Sequence, residues 1–81
     1  MLDETKTIKA KDIVEDPDAV YSLINAHVVI HDGVGFNGQF NHMMPAVEIL
    51  FQAGWEVINF DSEAGALYCF LRNTNAKRKN R

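Results

Sequence analysis

The residues in this chain whose types and spacing come nearest to a known chemistry are three glycines. Gly33-Val34-Gly35-Phe36-Asn37-Gly38 follows a β-branched run and precedes a helical pattern. That is the setting of a dinucleotide-binding turn, in which glycines let the backbone approach a pyrophosphate and the next helix offers it free N–H groups. Leu50, Gly54, Val57 and Asp61 continue the pattern at the offsets of helix packing, helix end, second strand and ribose-binding acid. On this reading Gly33, Gly35, Gly38 and Asp61 bind a nucleotide. Two features oppose it. The helix is about five residues too long between Gly38 and Leu50, with Pro45 inside the excess, and only about twenty residues follow Asp61, too few for the further parallel strands that build a cofactor crevice. A flexible glycine connection is the preferred reading, and no cofactor is expected.

The remaining candidates have ordinary structural explanations. His27 and His31 stand four residues apart on a predicted strand, a span of about 13 Å, so they cannot grip one ion together. A composite metal site from His31, His42 and Cys69 lacks any supporting ligand spacing, and no metal is expected. Cys69 lies between Tyr68 and Phe70 in the most apolar strand, where burial raises a thiol's pKa and removes its nucleophilic thiolate. Asp61 and Glu63 read as a solvated pair in a turn, and Trp55 as a core anchor rather than a ligand-stacking platform. With no nucleophile elbow, no Walker loop and no paired carboxylates at a defined spacing, the residues point away from an enzyme.

The elements that must position these residues are legible to different degrees. Residues 1–16 alternate weakly, with Ile8 and Ala10 among Thr7, Lys9 and Lys11, which suits an exposed edge strand or an extended arm. Asp16-Pro17 reads as a helix start and predicts a short helix over 17–25 carrying Val20, Leu23 and Ile24. His27 to His31 is a strand, ended by Asp32-Gly33. A long helix is predicted over 40–53, with Phe40, Met43, Met44, Val47, Leu50 and Phe51 as one apolar stripe, Ala46, Ile49 and Ala53 as a second line, and Gly54 as its stop. Pro45 then has to fall in the first turn, which argues for an N-cap near Asn41. Trp55 to Phe60 and Ala66 to Arg72 form two more strands, joined by a loop over 61–65 and expected to pair antiparallel.

The expected fold is α+β, a three-stranded, mainly antiparallel β-α-β-β sheet with one long helix and a short N-terminal helix. Residues 1–76 make one domain and 77–81 a disordered basic tail. Side chains alternate along a strand, so Leu67, Cys69 and Leu71 face one way while Tyr68 and Phe70 face the other, and both faces are apolar. One helix cannot cover both. The short helix or a second copy of the chain must therefore cover the other face, and Tyr68, Phe70 and Ile49 are the candidate interaction residues.

Bulk properties exclude several classes. Apolar residues at 47% and charged residues at 23% describe a folding chain rather than a disordered one. The longest apolar run, residues 66–71, falls far below the ~20 residues needed to cross a bilayer. The first residues lack the pattern of an export signal, and one cysteine fits a reducing compartment, so the expected location is the cytoplasm. Lys77, Arg78, Lys79 and Arg81 supply four of the eight basic residues, which leaves residues 1–76 with four against all eleven acidic side chains, a net of minus seven. Nucleic-acid binding through that tail would be weak and salt-dependent, and the acidic body works against it.

Two segments, Ala53-Gly54-Trp55-Glu56-Val57-Ile58 and Tyr68-Cys69-Phe70-Leu71-Arg72, carry a resemblance over residues 26–73. The chain there resembles the family of very small bacterial domains of unknown function numbered four-one-seven-seven. Its pattern is a strand, a glycine-rich loop, a helix, a Gly-Trp-Glu step and a hairpin ending in aromatic and basic residues. The residues before 26 and Asn73 depart from it. The resemblance implies a fold with Gly54 and Trp55 structural, and no activity. The function expected is a non-catalytic protein-interaction or homo-oligomerisation module, with the nucleotide-binding fragment and the basic tail as alternatives.

Overall fold

A computed structural model describes residues 5–34 and 40–74 of the chain. Four strands and three helical segments follow in the order β1 (Thr5–Lys9), α1 (Ala10–Glu15), a 3-10 turn (Pro17–Ser22), β2 (His27–Gly33), α2 (Met43–Gln52), β3 (Trp55–Glu63) and β4 (Ala66–Asn73). The strands form one sheet in the order β1-β2-β4-β3. β1 runs parallel to β2, while β4 is antiparallel to both β2 and β3.

The three-stranded sheet with one long helix is therefore corrected to a four-stranded mixed sheet with three short helical segments. The added strand is the segment read as an edge strand or arm. Ile8 lies level with Ile30 of β2 and packs against the core, which fixes β1 as a true strand. Ala10, the other residue of that weak alternation, belongs instead to α1. Ala10, Ile13 and Val14 sit at i, i+3 and i+4, and this helical spacing places the first two in the core with Val14 packed against them. The helix predicted over 17–25 shrinks to one 3-10 segment, because only Val20 of it is buried and Leu23 is already extended.

α2 begins at Met43 rather than near residue 40, since Phe40 packs against the core before the helix starts. Pro45 is then its third residue and costs no hydrogen bond, because the first helical N–H groups have no intrahelical partner. The helix buries Met43, Ala46 and Leu50 with Ala53 just beyond, leaving Met44 and Phe51 exposed although they belonged to the predicted stripe. Its end is held as expected: Gly54, at φ 100, takes the left-handed conformation that stops the helix, and its N–H bonds the Phe51 carbonyl.

The core lies between the sheet and the helices. Val28 and Ile30 of β2, Cys69 and Leu71 of β4, and Trp55 at the start of β3 meet Ala10, Ile13, Val20, Met43, Ala46 and Leu50. Every described helical segment thus covers the same side of the sheet. The β3–β4 hairpin closes through Ala64 and Gly65, at φ 53 and 83, a tight two-residue turn in place of the five-residue loop expected. A bulge between Val57 and Asn59 shifts the phase of β3. Val57 stands level with Leu71 on the covered side, and after the bulge Phe60 stands level with Cys69. Ile58 is the residue the ladder leaves over.

Candidate functional site

Two features of this frame are candidates. The first is the uncovered side of the sheet. Its rows follow from the register: Thr5, His27, Arg72 and Glu56 at one end, Thr7, Val29, Phe70 and Asn59 in the middle, and Lys9, His31, Tyr68 and Asp61 at the other end. Val29, Phe70, Tyr68 and His31 are half-buried by their sheet neighbours, and none of the described helices lies on them. The His31 and Tyr68 rings lie 6.1 Å apart, tilted by 36°. Arg72 donates to Glu56 Oε1 at 2.8 Å across the hairpin. The middle of this face is apolar, its β1 edge carries Lys9, and its β3 edge carries Glu56 and Asp61.

The second feature is a cavity of about 280 Å³ at the C-terminal ends of the parallel strands β1 and β2, lined by Lys9, Lys11, His31, Asp32, Gly33, Asn41 and His42. Asp32 anchors it. As the third inward residue of β2 after Val28 and Ile30 it is only 7% exposed. Its Oδ2 accepts the His42 backbone N–H at 2.8 Å, and its Oδ1 lies 3.5 Å from His42 Nδ1. The carboxylate therefore ties down the residue that precedes α2 from a neighbouring strand, where it also meets the positive end of the helix dipole. It holds the His42 ring by one nitrogen as well. Lys11 pairs loosely with Glu15, 3.9 Å away on the outside of α1.

The residues singled out in the sequence are dispersed by this geometry. Gly33 ends β2 beside the cavity, and a Cβ there would meet nothing within 4 Å. Gly35 and Gly38 lie outside the described residues, as do residues 77–81. Asp61 is in β3 rather than a turn, and its Oδ1 accepts the Ser62 N–H. β4 separates it from β2, so the two strands a dinucleotide fingerprint requires side by side are not neighbours. Tyr68 and Phe70 share the uncovered face, whereas Ile49 packs against the core on the opposite side. His31 and His42 both line the cavity, but Cys69 stands level with Ile30 in the core, and among the described residues no group of three or more His, Cys, Asp or Glu side chains could hold a metal ion. Burial pushes the Cys69 thiol up to about 11. Trp55 is 2% exposed, within the core.

Lys9, Lys11, Asp32 and Asn41 were missed as site residues. The signal available was Asp32, an acid in the inward phase of a strand, which has to find a donor if it is buried.

No helix of the described residues is long and apolar enough to cross a membrane. No family model, curated protein or solved structure matches the chain.

Proposed function

We propose that this chain is a non-catalytic protein-interaction module that pairs with a second copy of itself through the uncovered face of its sheet. The observation that carries the reading is that every described helical segment lies on one side, leaving the half-buried Val29, Tyr68 and Phe70 on the other with no described helix over them. A contiguous apolar patch bordered by charge marks an interaction surface.

Charge placement favours a second copy as the occupant. Packed sheets align their strands within about 30°. A two-fold axis between two such sheets and parallel to their strands lays β1 of one over β3 of the other, and β2 over β4. Val29 then meets Phe70 of the second copy, His31 meets its Tyr68, and Lys9 meets its Asp61. The sheet edges oppose the alternative of strand addition: β1 has five residues with lysines at two of them, and β3 carries a bulge and three acidic side chains. Four strands about 4.8 Å apart and about seven residues long present roughly 450 Å² of flat face. That is less than the ~800 Å² per partner of a standard interface, so the association is reversible and concentration-dependent.

The dinucleotide reading has less support, because β4 intervenes between β2 and β3. A buried single thiol suits a reducing interior such as the cytoplasm. Sedimentation of the full chain over a range of concentrations tests self-association. The wild type should shift from monomer toward dimer as concentration rises, and Phe70→Glu should stay monomeric with an unchanged circular dichroism spectrum. A wild type that remains monomeric into the millimolar range overturns the reading.

A further inference from the structure

We infer that the cavity at the C-terminal ends of β1 and β2 is a binding site for a small oxyanion of phosphate-monoester size. It goes beyond the interaction reading: the site lies at the junction of β2 with α2 rather than in the middle of the sheet, and shares Lys9 and His31 with the end of the uncovered face.

The position is where open sheets with parallel strands place their ligands, beyond the carboxyl ends of the strands and against a following helix. β1 and β2 form such a parallel pair, joined by α1, and their last residues, Lys9 and Gly33, both line the cavity with Asn41 and His42 from the start of α2. Charge decides the ligand's sign. Residues 1–76 contain only four basic residues, Lys6, Lys9, Lys11 and Arg72, and two of them line this cavity, Lys9 and a Lys11 only loosely paired with Glu15 at 3.9 Å, on a body that is otherwise acidic. Arg72 is engaged with Glu56 on the far strand. The one acid in the lining, Asp32, is committed to His42 through both oxygens. The His42 ring, held at Nδ1 by Asp32, borders the cavity. Two ammonium groups and the absence of any three-ligand cluster among the described residues argue against a cation.

Size sets the class. About 280 Å³ is at the lower limit of small-molecule sites and fits a phosphate with a short organic group. A dinucleotide needs several times that room.

The test is a two-dimensional NMR titration of the full chain with inorganic phosphate, methyl phosphate and a nicotinamide dinucleotide. Saturable shifts at the Gly33, Asn41 and His42 amides with both phosphates are expected. Lys11→Gln, an exposed substitution that leaves the core untouched, should weaken binding about tenfold through loss of one charge-assisted contact. Phe70→Glu should leave it unchanged, which separates this site from the self-association surface. Linear, unsaturating shifts up to ~50 mM, where even a millimolar site is filled, would overturn the proposal. So would equal binding by Lys11→Gln and the wild type, or a tighter response to the dinucleotide than to methyl phosphate.

Discussion

At the scale of single residues, Asp32 and Cys69 show opposite ways of burying a polar atom. Asp32 satisfies its carboxylate with the backbone and ring of His42, so removing it takes the acceptor from a part-buried N–H at the start of α2. Asp32→Ala should destabilise the chain by about 1–3 kcal/mol in urea unfolding, and Asp32→Asn, which keeps an acceptor, by less. Cys69 has no such partner to offer its thiolate and instead keeps its proton to about 11, against 9.0 for an unburied thiol. Between those values the native state binds more protons than the unfolded one, so stability falls as pH rises through the window and is unaffected by this group below it. Denaturation midpoints measured from pH 8 to 11 should decline accordingly, and native Cys69 should react with thiol reagents at pH 8 far more slowly than in urea. The burial of Cys69 and Trp55 was legible because each sits in an apolar strand beside other apolar residues. The pairing of Asp32 with His42 was not, since it joins residues ten apart across a connection whose course no periodicity records.

At the scale of elements, the sequence marked three strands, the stop at Gly54 and the place of Pro45 in the first turn of α2. It failed where two periods overlap. Ile8 and Ala10 look like one alternating strand, yet a strand ends and a helix begins between them, and only the i, i+3, i+4 set of Ala10, Ile13 and Val14 tells them apart. The hairpin was placed correctly but its loop was drawn too long, because Asp61, Ser62 and Glu63 are polar as a turn would be while forming the exposed end of β3. The true turn carries a cost at Ala64, a residue with a Cβ held at φ 53. Ala64→Gly should raise thermal stability by about 0.4–1 kcal/mol, the gain from relieving left-handed strain less the entropy of a more flexible unfolded chain. A lower melting temperature for that variant would contradict the turn geometry.

At the scale of the whole molecule, the expectation that one helix cannot cover both faces of the sheet held, but the short N-terminal segment does not make up the difference. It lies on the same side as α2, where Val20 joins the core. Alternation in β4 exposed the two apolar faces in the sequence, while the side on which each helix lands is set by crossover geometry that a linear pattern does not encode. Self-association through this face has a salt signature. If Lys9 and Asp61 meet across the interface, the dimer should weaken as sodium chloride rises, although the Val29 and Phe70 contact keeps the loss to a few-fold. The oxyanion cavity should lose affinity more steeply, since its attraction is almost wholly ionic.

The order of the sheet has one more implication. β4, the last described strand to leave the ribosome, is hydrogen-bonded on both sides and joins β2 to β3. Until it emerges, β1 and β2 can pair with each other but have no hairpin to dock on, and the inward residues of α2 have half a surface to cover. Assembly of this domain is thus held back until β4 has been made, and a nascent chain halted before residue 66 would present its apolar side chains to whatever chaperone is nearest.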